Sequence, residues 1–373
     1  MKQFIIKIFS HERVDKVINF FIGIWIRICR IFPVRDRVLF FTVRADGKLL
    51  ENSKAVYDAL DYPKKIFARK LPHNYKVEPF AIYWLMTSKV IVTDDYCRYM
   101  RKIKLRKGQK LFQIWHGCGA FKSFGLDVES KLTREEEIAT HSQYDAVAVT
   151  GEDCRKYFAR AFGISEDKCL AIGLPRTDYL INNADGMRRE FFEKHPELKG
   201  KTIYLYCPTF REKQGEKVVY DPGINWAGLS AELEENEIFI LSRHPVVDYE
   251  MIDGKYENVI DMTEESTLSL AAAADVLVTD YSSTVHDAAL LGIPTVFYCP
   301  DYKEYERIFY LKFPDDLPGE LVTQGDGLLT AVRRAKKEPP VQRIEKFRSG
   351  QLGACDGHST ERVVAIIMDW LKQ

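Results

Sequence analysis

Val276-Leu-Val-Thr-Asp-Tyr-Ser-Ser-Thr-Val-His-Asp-Ala-Ala-Leu-Leu-Gly-Ile-Pro294 reads as a strand, a tight turn, a short helix and a stop. Its first four residues are apolar or β-branched on both faces, the mark of a strand buried in a parallel sheet. Ser282 or Ser283 can cap the following helix, and Gly292 with Pro294 ends it. The same cadence recurs along the chain. Strand-like runs fall at 38–42, 90–93, 111–115, 146–150 and 169–173, and a second series at 203–207, 238–241, 259–260, 276–279 and 295–298. Between them, Thr150-Gly-Glu-Asp153 has capping-box spacing, and Thr263 precedes Glu264 and Glu265, which suit a first helical turn. Such alternation implies doubly wound α/β sheets. The turn-forming cluster Asn182-Asn-Ala-Asp-Gly186 separates the two series. The expected fold is α/β, with two Rossmann-like domains (38–183 and 184–345) facing a cleft, a leading segment 1–37 and a closing helix within 346–373.

Composition excludes several classes. The 54 Lys and Arg balance 54 Asp and Glu, so the chain lacks the net basic charge of a nucleic-acid binder. With 46% hydrophobic residues it can bury two cores, which argues against wholesale disorder. Eight Cys stand without CxxC pairs; they form neither a zinc set nor a stapled scaffold and suit a reducing, cytoplasmic compartment.

The neutral sum hides an uneven distribution. Residues 1–37 hold eight Lys or Arg against three acids. Within them, Val17-Ile-Asn-Phe-Phe-Ile-Gly-Ile-Trp-Ile26 is too short to span a bilayer, and Pro33 stops any helix. Two readings stand: a buried helix of the globular body, or an amphipathic helix lying on an anionic membrane surface. The flanking Arg13, Lys16, Arg27 and Arg30 favour the second. A second basic cluster (Arg98, Arg101, Lys102, Lys104, Arg106, Lys107, Lys110) could extend that surface or be a solvated face.

Four stretches at strand ends carry chemistry. Ser282 and Ser283, at a helix start after Asp280, suit a phosphate. In Gln113-Ile-Trp-His-Gly-Cys-Gly119, His116 sits between a strand and a glycine-rich turn, a good place for an acid/base. Leu241-Ser-Arg-His-Pro245 supplies Arg243 and His244, and Tyr206-Cys-Pro-Thr-Phe-Arg211 supplies Thr209 and Arg211, groups suited to an anion. As a set they fit a diphosphate.

Trp115-His-Gly117 with Lys122 and Gly125, Pro208-Thr-Phe-Arg211, His244-Pro245 and Asp280-Tyr-Ser-Ser283 with Asp287 and Leu291 resemble the CDP-glycerol glycerophosphotransferase family of wall teichoic acid synthesis. Gly47 with Asn52-Ser-Lys54 and Gly173-Leu-Pro-Arg-Thr-Asp178 are also similar to it. The resemblance runs from about residue 40 to 310. It departs at Ser242, where a basic residue is common, and at His286, where an apolar one is usual. The resemblance implies a glycosyltransferase-B-like fold, with 38–183 taking the acceptor and 184–345 the CDP-activated donor. It also implies a peripheral location at the cytoplasmic face of the membrane. The implied reaction transfers a polyol phosphate, foremost glycerol phosphate, from CDP-glycerol or CDP-ribitol to a lipid-linked glycan or polymer, releasing CMP. By the same resemblance His116 is the base and His244 and Arg211 stabilise charge, with Thr209, Arg243, Ser282 and Ser283 gripping the donor. Asp287 either reaches a ribose hydroxyl or is an exposed helical acid, and Asp280 orients His244 or caps its turn. Asn52, Gly117 and Lys122 lie on the acceptor side. The resemblance points to no certain cofactor; no metal-ligand set is evident, and a divalent cation is compatible. The competing readings are a nucleotide-sugar glycosyltransferase or epimerase of the same fold and a non-catalytic membrane scaffold.

Overall fold

Buried strands rich in Val, Ile, Phe and Tyr pair side by side into two six-stranded, wholly parallel sheets. This computed structural model describes residues 11–70, 78–129, 132–213, 216–244, 247, 251–305 and 308–373. The first sheet contains β1 (Arg35–Thr42), β2 (Lys64–Ala68), β3 (Ser88–Thr93), β4 (Lys110–Gln113), β5 (Ala146–Val149) and β6 (Cys169–Ala171), in the order β2-β1-β3-β4-β5-β6. The second begins with β7 (Thr202–Cys207). After a separate antiparallel hairpin, β8 (Arg211–Lys213) and β9 (Glu216–Val218), it continues with β10 (Glu237–Leu241), β11 (Val259–Asp261), β12 (Val276–Thr279), β13 (Thr295–Tyr298) and β14 (Glu320–Val322). Its order is β11-β10-β7-β12-β13-β14. The expected α/β class and its two parallel sheets are thus present.

This topology decides where a ligand can sit. Each sheet grows outward from its first strand in both directions, so the order reverses between β1 and β3 and again between β7 and β12. Parallel strands end on the same edge, and connections that leave in opposite directions open a crevice there. The segments after β1, β3 and β4 in the first sheet, and after β7, β10 and β12 in the second, carry the chemical motifs.

Three local expectations are corrected. Asn182-Asn-Ala-Asp-Gly186 is no turn but the middle of a continuous helix, Pro175–Lys194. Leu180 and Met187 of this helix join one hydrophobic cluster and Phe191 another, and that burial overrides turn propensity. Asn182 donates to the Gly357 carbonyl and Asn183 to that of Tyr179. Thr150 forms no capping box, because its hydroxyl donates to the Gln351 carbonyl. Thr263 lies ahead of the helix Thr267–Ala273, and its hydroxyl accepts from the Arg243 backbone N–H. The expected closing helix is Ser359–Lys372. It packs on the helix Glu51–Ala59 and on β3 of the first sheet, and residue 345 falls within the preceding helix, Val341–Leu352.

The leading helix, His11–Cys29, has two faces. Ile22, Trp25, Ile26 and Cys29 pack on the core, and Trp25 donates its indole N–H to the Pro79 carbonyl at 2.7 Å. Phe20 and Phe21 point outward, 65% and 62% exposed. The Arg106 guanidinium reaches the Phe32 carbonyl at 2.6 Å and Arg30 that of Lys104 at 3.1 Å, so part of the second basic cluster adjoins this helix. Arg101 and Lys110 are paired with Glu136 and Asp145. Residues 1–10 lie outside the described part. Among the described residues no helix is long and apolar enough to cross a membrane.

One ion pair gives the second sheet a pH signature. Glu237 accepts two bonds from Arg333 (3.0 and 2.5 Å), one from the Tyr204 hydroxyl and one from the Glu234 N–H. Burial alone would raise its pKa, but these donors outweigh it and depress it from 4.5 to about 2. The resulting stabilisation is fully present above about pH 4.5 and is lost as the pH falls towards 2. Glu237→Gln should therefore destabilise the chain by about 2 kcal/mol at pH 7. Urea midpoints at pH 7 and near pH 3 check this: the difference between the two proteins should shrink at the lower pH.

Candidate active site

On the second sheet, the loops after β7 and β12 meet at the reversal of strand order. Asp280, fully buried at the end of β12, accepts from the Thr209 N–H (2.9 Å), the Thr209 hydroxyl (3.0 Å) and Arg211 (2.8 Å). It also accepts from the Tyr281 N–H at 2.6 Å, so of the two roles expected for it, it caps the turn. Arg211 is held from the other side by Asp301, Nε at 2.6 Å and Nη2 at 3.1 Å, and lies 4.0 Å from the centre of the Tyr220 ring. Burial opposes its charge, but Asp280 and the Asp301 hydrogen bond hold its pKa above the ordinary value. Its guanidinium thus braces the turn between Asp280 and Asp301.

His244 packs its ring 4.8 Å from that of Phe210, beside the same turn. Arg243 turns the other way, with Nε 2.7 Å from Asp261. Together with Tyr256, Thr263 and Glu264 it lines a cavity of about 720 Å³ at the carboxyl ends of β10 and β11. Ser282 accepts from the Thr284 N–H at 3.3 Å at the start of the helix Thr284–Leu290. Ser283 is exposed, and its hydroxyl caps nothing.

On the first sheet, His116 follows β4. Its Nδ1 lies 3.0 Å from the Asp94 carbonyl oxygen. A carbonyl can only accept, so Nδ1 carries a proton, and in the neutral ring Nε2 keeps the lone pair. The imidazole stacks on Trp115, 4.4 Å between ring centres. Asn52 is fully buried; its amide donates to the Trp115 carbonyl at 2.9 Å, and its oxygen accepts from the Arg176 N–H at 2.7 Å. It therefore supports the His116 loop from beneath. Gly117 follows His116, and Lys122 forms a single antiparallel bridge with Phe309.

Between the two halves lies a buried junction that motif reading missed. Asp287 is not an exposed helical acid: it is 6% exposed and ion-paired with Arg176 at 3.0 Å. Burial pushes its carboxyl pKa up, and Arg176 draws it back. Beside it, His286 donates from Nδ1 to the Ser283 carbonyl, while Nε2 is buried without a partner. Burial pushes its pKa down to about 4, so the ring is neutral and packs as an apolar residue would. It rests against Gly119 of the His116 turn, whose N–H donates to Thr150 at 2.9 Å. The signal for this junction was present in Arg176 of the Gly173–Asp178 turn, but nothing in local spacing pairs it with Asp287. Among the described residues, no three His, Cys, Asp or Glu side chains gather as a metal-ligand set.

The family described as CDP-Glycerol:Poly(glycerophosphate) glycerophosphotransferase matches residues 24–369. The teichoic acid ribitol-phosphate primase of Bacillus spizizenii is 31% identical, with 91% of this chain and 93% of the primase covered. The teichoic acid poly(ribitol-phosphate) polymerase of the same species is 30% identical, over 90% of this chain but only 56% of the polymerase. Among solved structures, the wall teichoic acid polymerase TagF superposes with a TM-score of 0.73 at 20% identity, covering 94% of both chains.

Gly119 gives this geometry a test. Its φ is +66°, and a Cβ there would stand 1.9 Å from His286 Nε2. Gly119→Ala should destabilise the chain by roughly 2–4 kcal/mol, from left-handed strain plus overpacking. Adding His286→Ala should restore part of the loss in a thermal melt, because it removes the clash and leaves only the strain.

Proposed function

Since the chain belongs to the CDP-glycerol:poly(glycerophosphate) glycerophosphotransferase family, we propose that it transfers a polyol phosphate from a CDP-polyol to a hydroxyl of a membrane-lipid-linked acceptor, releasing CMP. The observation that carries the reading is His116, whose ring is fixed by the Asp94 carbonyl through Nδ1, so that Nε2 can take a proton at the carboxyl edge of the first sheet. It accepts the acceptor hydroxyl proton as that oxygen bonds to the donor β-phosphorus. The bond from the β-phosphorus to the bridging oxygen breaks, and CMP leaves with the electron pair. Reactions of this kind depend on alignment and charge stabilisation. His244, Ser282 and Ser283 stabilise the diphosphate at the edge of the second sheet, and the cavity beside Arg243 receives the cytidine. Ribitol is the favoured polyol, since the two relatives that cover nine-tenths of this chain are named for ribitol phosphate.

The outward face of the leading helix supports a peripheral position on the cytoplasmic leaflet. Phe20, Phe21, Ile24 and Ile28 form an apolar face close to Arg27 and Arg30. Apolar burial and attraction to anionic lipid then act together.

The test of the reaction is CMP release from CDP-ribitol and CDP-glycerol with lipid-linked acceptors. His116→Ala and His244→Ala should each lower turnover by about 10²-fold or more. UDP release from a UDP-sugar, with none from either CDP-polyol, would replace the reading with a glycosyltransferase. For the membrane, Phe20→Glu with Phe21→Glu should abolish co-sedimentation with phosphatidylglycerol vesicles while leaving the melting temperature unchanged; undiminished binding would dismiss this face.

A further inference from the structure

Arg176 stands in the first turn of the helix Pro175–Lys194, where the chain passes from the first sheet to the second. Its contacts converge on the loop that carries His116. Its backbone N–H donates to Asn52, whose amide in turn holds the carbonyl of Trp115, the residue before His116. Its Nη1 donates to Cys118 Sγ at 3.1 Å, two residues after His116, and burial keeps that thiol protonated. Its Nη2 reaches Asp287 of the second half at 3.0 Å, one turn beyond Ser283. A planar guanidinium presents Nη1 to Cys118 and Nη2 to Asp287 in one fixed fork, a geometry that a compact ammonium does not hold.

A second observation points to the same place. Among the described non-glycine residues, only Glu51 and Trp115 hold φ in the left-handed region, at 35° and 37°. Asn52 follows the first and bonds the carbonyl of the second. Such strain persists where the surroundings over-determine it, and it gathers at functional sites. The Arg176–Asn52 pair supplies that determination on both flanks of His116.

We propose that Arg176 is a positioning residue, bound on one side to the loop of His116 and on the other to the helix that follows Ser282 and Ser283, so that it sets the distance and angle between base and donor. This rests on the phosphotransferase reading above. Arg176 touches neither substrate; it acts through His116 and through Asp287. Asp287 accordingly serves as its counter-ion rather than as a ribose ligand.

The distinguishing readout is the split between kcat and donor KM in the full chain, with CMP release from a CDP-polyol. Arg176→Lys keeps the charge opposite Asp287 and loses the fork to Cys118. It should fold, lower kcat by about 10- to 100-fold and leave donor KM within about threefold, because displacement of about 1 Å between reacting groups is enough for such a loss. Asp287→Asn should lose kcat to the same extent, and the double variant should lose little more than either alone, as expected for two residues acting through one contact. A folded Arg176→Lys with kcat within about twofold of the unmodified chain would overturn the proposal, even if its melting temperature fell, since the contact would then be structural only. A tenfold rise in donor KM at unchanged kcat in Asp287→Asn would overturn it in favour of direct donor contact. If the unmodified chain released CMP from no CDP-polyol, both this proposal and the reading beneath it would fall together.

Discussion

Neither the Arg176 guanidinium nor the Asp287 carboxylate could leave water alone without a penalty of several kcal/mol, and each finds its compensation in the opposite half of the chain. Removing one partner of such a pair leaves an uncompensated buried charge and typically costs roughly 3–5 kcal/mol. The contact therefore constrains how the two sheets meet. Around it pack the neutral His286 ring, the Gly119 turn with no room for a Cβ, and the Thr150 hydroxyl that ties that turn to Gln351. The placement of His116 follows from these, because the same few residues hold both ends of its loop.

The charges elsewhere in the site follow a pattern. Arg211 is shared between Asp280 and Asp301, and Arg243 is paired with Asp261. Two of the cations that looked like ligands for an anion are thus matched by carboxylates and form a rigid frame. Ser282 and Ser283 stand at the start of the neighbouring helix, and His244 packs on Phe210 beside the Arg211 turn. Preorganised hydrogen-bond donors need not reorganise as charge develops, which is the property a phosphoryl-transfer site needs.

Central strands were the most legible part of the fold. β7, β10 and β12 are covered on both sides, so their middle residues are apolar on both faces, and the pattern is visible without any neighbour. The edge strands β2 and β14 pair on one side only and tolerate residues such as Lys64, Lys65 and Glu320, so they carry no comparable pattern. The Asn182–Gly186 cluster misled because its turn propensity is local, whereas the burial of Leu180, Met187 and Phe191 that keeps the helix intact is tertiary. The site shows the same division. His116 and His244 were visible beside strand ends and glycines. The engagement of Arg211 by Asp301, 90 residues away, and of Arg176 by Asp287 was not, since only folding brings those charges together.

The helix Ser359–Lys372 is made long after β3 and the helix Glu51–Ala59, yet lies against both. Val363, Ile367 and Leu371 fill the same hydrophobic cluster as Val38 and Val90. On the ribosome, then, the strands of the first sheet emerge early, but its core cannot close until residues 359–372 have emerged as well. An exposed apolar flank persists through that interval, a surface suited to chaperone contact.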